Sequence, residues 1–127
     1  MSKSDYLENA VLDAVLNNTA LQVTTPYVSL HTADPGEDAS GAECSGGSYA
    51  RQAGSFGAAS GGSCANDAEI SFDFTGYGAQ VTVTHFGIWD ASTAGNLLYK
   101  GALTASKTVD PGDTVRFATG QLTVTED

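Results

Sequence analysis

Residues 69–74 read EISFDF, an unbroken alternation. Ile70, Phe72 and Phe74 fall on one side and Glu69, Ser71 and Asp73 on the other. That period of two belongs to a strand with one dry face and one wet face. GYGAQ (76–80) breaks it. Working outward, TPYVSLHT (25–32) sets Val28 and Leu30 against Tyr27, Ser29 and His31. ADPGED (33–38) then turns the chain, Pro35 fixing φ and Gly36 supplying permissive backbone. LLYKGAL (97–103), DTVRFA (113–118) and QLTVTE (121–126) add further short strands behind Gly, Pro, Asp and Asn turns. The pattern predicts a mainly β chain, an antiparallel β-sandwich of jelly-roll-like form with a strand-rich body over 68–125. A length of 127 residues is that of one domain, 1–127.

One strand departs from simple alternation. In VTVTHFGIWD (81–90) Val81 and Val83 share one face, whereas Phe86 and Ile88 lie on the other with His85, Gly87 and Trp89 back on the valine side. Either a bulge near Gly87 shifts the phase or both faces are covered.

The N-terminal stretch has a different period. Leu7, Val11, Ala14 and Val15, with Ala10 beside them, follow helical spacing and predict one short amphipathic helix over 4–16. Ser4 or Asp5 can cap it, Asp5 and Glu8 suit its positive end, and NNT (17–19) stops it. Its apolar stripe must lie on something.

Between helix and body, 37–67 is rich in Gly and Ser, with Tyr49, Arg51 and Phe56 set into SGGSYARQAGSFGAASGGS (45–63). Small residues allow close backbone approach, and the three large side chains are candidate anchors to a neighbouring protein. The plainer reading is a loop that packs on its own domain. On the anchor reading, Tyr49→Ala with Arg51→Ala leaves the domain folded and weakens attachment. Trp89 and Tyr99 are further candidates for a subunit contact, against plain core packing.

Fifteen acids against five bases give a formal charge of −10. Such a surface is repelled by nucleic-acid phosphates and anionic membranes, so neither is an expected partner. The start carries Lys3 but no apolar signal-peptide core, so no export signal is expected. No phosphate loop, nucleophile elbow or zinc-type Cys/His spacing occurs. DPGED and DPGD read first as turns rather than calcium ligands. No catalytic residue, cofactor or metal is therefore expected. Cys44 and Cys64 can be free thiols, an intrachain bridge stabilising by about 3 kcal/mol, or a bridge to a neighbouring subunit.

YLENAVLDAVL, YVSLHTADPGED, ECSGGSYARQ, FGAASGG, VTHFGIWDASTAGNLLYKGAL and VDPGDTVRFATGQLTVT, in this order, resemble a family of small tailed-phage virion structural proteins, often labelled phage tail fibre protein. LHTADPGE and GGSYARQ are its most specific part. The resemblance implies a component of the virion, assembled in the host cytoplasm, and no enzyme. The acidic, compact chain fits the outside of a DNA-filled shell, so the expected role is a capsid decoration (cement) protein bound to the major capsid protein. Neck, collar or tail-fibre proteins and a receptor- or glycan-binding module are the alternatives. A homo-oligomer, such as a trimer, is natural for a shell contact.

Overall fold

The computed structural model describes residues 2–39 and 41–126; of the 37–67 segment only residue 40 falls outside them. The elements are β1 (Ser2–Lys3), α1 (Asp5–Leu16), β2 (Tyr27–His31), β3 (Gln52–Ala53), β4 (Ser63–Ala65), β5 (Ile70–Asp73), β6 (Val81–Trp89), β7 (Leu97–Val109), β8 (Thr114–Phe117) and β9 (Thr123–Thr125). Every strand pairing is antiparallel. One layer is a five-stranded sheet ordered β1-β7-β6-β2-β3, and the other is split into two ribbons, β4-β9 and β5-β8. Val28, Leu30, Phe86 and Ile88 of the large sheet share one core with Ile70, Phe72, Val115 and Phe117 of the ribbons. The mainly β sandwich read from the sequence is the architecture observed.

EISFDF behaves as its alternation requires: Ile70, Phe72 and Phe74 are buried, and Phe72 meets Phe117 edge to face at 6.1 Å. In β6 both readings of the phase break hold in part. As β6 advances from Val83 to His85, β7 runs from Lys107 back to Ala102, so residues 103–106 bulge out of the ladder. This shift falls before Gly87 and brings Val83 and Phe86 both into the core, and a second, between Ile88 and Trp89, falls just after it. Beyond the first shift Phe86, Gly87, Ile88 and Trp89 are all buried, which is double coverage. Gly87 is required there, because a Cβ would lie 2.7 Å from the Ser29 hydroxyl and 2.9 Å from Leu97.

The Gly/Ser-rich segment is laid against its own body. Glu43 bridges to His31, β3 extends the large sheet at Tyr27–Val28, and β4 pairs with β9. Gly47 (φ +56°) lets the loop backbone press on the 75–77 turn, where a Cβ would stand 2.5 Å from the Thr75 carbonyl oxygen. The Ser48 amide then donates to that carbonyl at 2.8 Å.

Ser4 caps α1, its hydroxyl accepting from the Leu7 amide at 3.2 Å and donating to the Leu97 carbonyl of β7. The helix does not lay down the whole expected stripe. Leu7 is buried and Ala10, Val11 and Ala14 are half-buried, but Val15 is 74% exposed. The apolar side chains form two rows instead. One row, at 7, 10, 11 and 14, faces the sheet, and a second, Leu12, Val15 and Leu16, faces outward. Leu12 and Leu16 lie off the helical face that the spacing of Leu7, Val11, Ala14 and Val15 predicts.

Candidate docking surface

The sequence-predicted anchors Tyr49 and Arg51 are turned inward. The Tyr49 ring stacks on Phe72 at 6.1 Å and tilts against Phe74 at 5.7 Å. Its hydroxyl accepts the Leu30 amide at 3.0 Å and donates to Glu43 at 3.0 Å. Burial, reinforced by Glu43, pushes its ionisation far above the usual range. Arg51 forks onto Glu43 with Nε 3.0 Å and Nη2 2.9 Å from the carboxylate oxygens. Its Nη1 donates to the carbonyls of Ala91 (3.2 Å) and Ala94 (2.8 Å), and the guanidinium lies 3.6 Å from the Trp89 ring centre. Every strong donor of Arg51 is thus aimed within its own chain, which accounts for the loop's adherence to the body. Because both side chains are packed into the body, removing them is expected to cost the isolated domain stability.

Trp89 is buried as well, and its indole N–H enters a sealed polar chain. It donates to the Ser29 hydroxyl at 2.7 Å, which faces His31 Nε2 at 2.6 Å, while His31 Nδ1 meets the Gly41 carbonyl at 3.0 Å. A carbonyl can only accept, so Nδ1 holds the proton and Nε2 accepts from Ser29. This Ser–His pair resembles half of a hydrolytic site. Ser29 is 0% and His31 1% exposed, however, so the pair has no path to a substrate.

Burial lowers the pKa of His31, opposed by the Gly41 hydrogen bond and Glu43 and assisted by Arg51 and His85. A histidine held neutral when folded but free to protonate when unfolded stabilises fully above its unfolded pKa and less as pH falls toward the folded value. Denaturation midpoints are therefore expected to drop as pH falls below about 6.5, well above the carboxylate range. In His31→Gln that step should vanish; its persistence would show that another group is responsible.

The remaining sequence candidates meet at a groove. Phe56 and Tyr99 line an apolar hollow of about 590 Å³ with Leu7, Leu21, Val23 and Leu98. Cys64, Ile88 and Val124 also line it. Tyr99 donates to Glu126 at the rim, and Lys3 pairs with the same carboxylate. Burial raises the Glu126 pKa, but these two partners outweigh it and hold it below the usual range. Leu21 (40%), at the groove's wall, and Leu12 (56%), Val15 (74%) and Leu16 (78%), on the outward face of α1, leave apolar surface in water. Tyr6 is the single exposed aromatic side chain among the described residues. None of Leu12, Leu16, Leu21 or Val23 was singled out from the sequence.

Cys44 and Cys64 are not bonded to each other. Cys44 sits in the core, where burial raises its pKa, and Cys64 Sγ donates to the Gly57 carbonyl at 2.8 Å. Three exposed carboxylates, Asp5, Glu8 and Glu37, crowd within 4.8 Å at the start of α1. No helix among the described residues is long and apolar enough to cross a membrane.

A comparison with curated proteins finds no match. A family model described as "Podophage GP4 fiber I protein gp80" does match, over residues 2–125, which is nearly the whole chain. It supports a phage fibre-type structural protein carried in the virion, in contact with other virion proteins. This sandwich, with its inward-held loop and open apolar groove, belongs to that Gp80 family of phage structural proteins.

Proposed function

We propose that the chain is a small subunit of the fibre apparatus, fastened to another virion protein through the groove and the outward row of α1, and that it acts by adhesion without catalysis. The observation that carries this reading is an apolar groove, joined through Leu21 to a hollow lined by Val15, together with a row of exposed aliphatic side chains on an otherwise acidic protein. Surface of that kind marks a protein contact. Phe56 and Tyr99 are then contact residues, while Tyr49, Arg51 and Trp89 support the contact indirectly by fixing the loop that carries Phe56.

The head-decoration role rests on the same adhesive chemistry, and the fibre description of the family favours the tail. A glycan-binding role is less favoured, because Tyr6 alone offers an exposed aromatic ring for stacking. Copies per particle provide the test: a number on the order of ten, set by tail symmetry, is expected. A number in the hundreds would assign the chain to the shell instead.

A further inference from the structure

Resting on that reading of the groove, we propose that the outward row of α1 receives an amphipathic helix of a different virion protein, one with a leucine-rich stripe flanked by lysines or arginines. Leu12, Val15 and Leu16 stand at i, i+3 and i+4, the ridge spacing by which one helix seats on another. They are the most exposed large apolar side chains of the described protein. Val15 itself, with Val11, Ala14 and Leu21, lines a second, open hollow of about 530 Å³. With the exposed Leu21, these side chains leave apolar surface of the kind that marks interaction sites.

Charge decides the occupant. Asp5, Glu8 and Asp13 lie along the exposed helix, and Glu37 joins the first two. The last turn of α1 carries no basic residue, so the negative end of its dipole is uncompensated. The chain's own cations are engaged elsewhere: Lys3 on Glu126, Arg51 on Glu43, Lys100 on Asp34, Arg116 on Glu69, and Lys107 over the Phe117 ring. A second copy would bring the same −10 charge to this rim. A cationic helix satisfies the carboxylates, the dipole and the apolar ridge together.

The test uses assembled particles carrying a photoreactive benzoylphenylalanine in place of Leu16. After irradiation, the cross-linked peptide is sequenced by mass spectrometry. The expected product joins position 16 to a different virion protein, in a segment with apolar residues at helical spacing flanked by lysine or arginine. A product joining two copies of this chain overturns the proposal, and so does a link to an acidic or uncharged segment. Particles that contain the chain but give no cross-link overturn it too, while leaving the fibre-subunit reading intact. Absence of the chain from particles sinks both. In parallel, V15Q/L16Q is expected to cut incorporation into particles at least tenfold with the melting temperature unchanged, because both side chains already stand in water. Unchanged incorporation refutes the ridge as the contact.

Discussion

Arg51→Ala is expected to lower the stability of the isolated domain by about 3 kcal/mol, roughly 10 °C in melting temperature for a chain of this size. The guanidinium is 9% exposed and its partner Glu43 26%, so the loss leaves a partly buried carboxylate without its cation. Two further groups lose their donor, the carbonyls of Ala91 and Ala94, and Trp89 loses the cation over its ring. Ala94 sits at φ +51°, a conformation that alanine adopts at a cost, and the Arg51 bond helps hold it there. Arg51→Lys should recover little, since an ammonium cannot fork onto Glu43 while also reaching the 91–94 turn. Thermal unfolding of the three proteins checks this. A variant that melts within two or three degrees of the parent, on the order of 0.5 kcal/mol, would return Arg51 to the role of an outward anchor.

Asn66→Ala is expected to cost about as much or more, roughly 3–4 kcal/mol, by leaving buried groups unpaired. Asn66 is 1% exposed and acts as an internal clip. Its Nδ2 donates to the carbonyls of Ala68 at 2.9 Å and Ala118 at 3.0 Å, and its Oδ1 accepts the Leu122 amide at 2.9 Å. The clip ties the end of the Gly/Ser-rich segment to the β8–β9 turn, and thereby fixes one wall of the groove. Asn66→Asp is the sharper version. It is nearly isosteric, but it points an acceptor at carbonyl oxygens where a donor stood, so it should be at least as destabilising as alanine. Denaturant unfolding that ranks Asp close to the parent would show that volume, not hydrogen bonding, is what the site requires.

These two residues show where reading the sequence succeeds and where it stops. Ile70–Phe72–Phe74, the Ser4 cap and the DPG turns were legible because each is a local property: a period of two, a hydroxyl three residues before an amide, a proline that fixes φ. Asn66 carried no signal at all, since nothing local separates a clip asparagine from one in a turn. Tyr49 and Arg51 announced themselves as large side chains among glycines, but not the direction in which they face. The partners of Arg51 lie up to 43 residues away, in a turn that approaches it only after β6 and β7 have paired.

The same limit applies to the helix. Its existence followed from spacing alone, whereas the choice of inward row depended on how Ser4 is pinned to Leu97 and Leu98 of β7. Sequence by itself determined the β class, the helix, the acidic exterior and the family resemblance, because these reside in neighbouring residues and in sums over the chain. Tertiary structure alone decided that the glycine-rich loop is fastened to its own body and that a groove opens beside α1. Which surfaces remain uncovered depends on contacts between residues far apart in the chain, and no short window of sequence contains them.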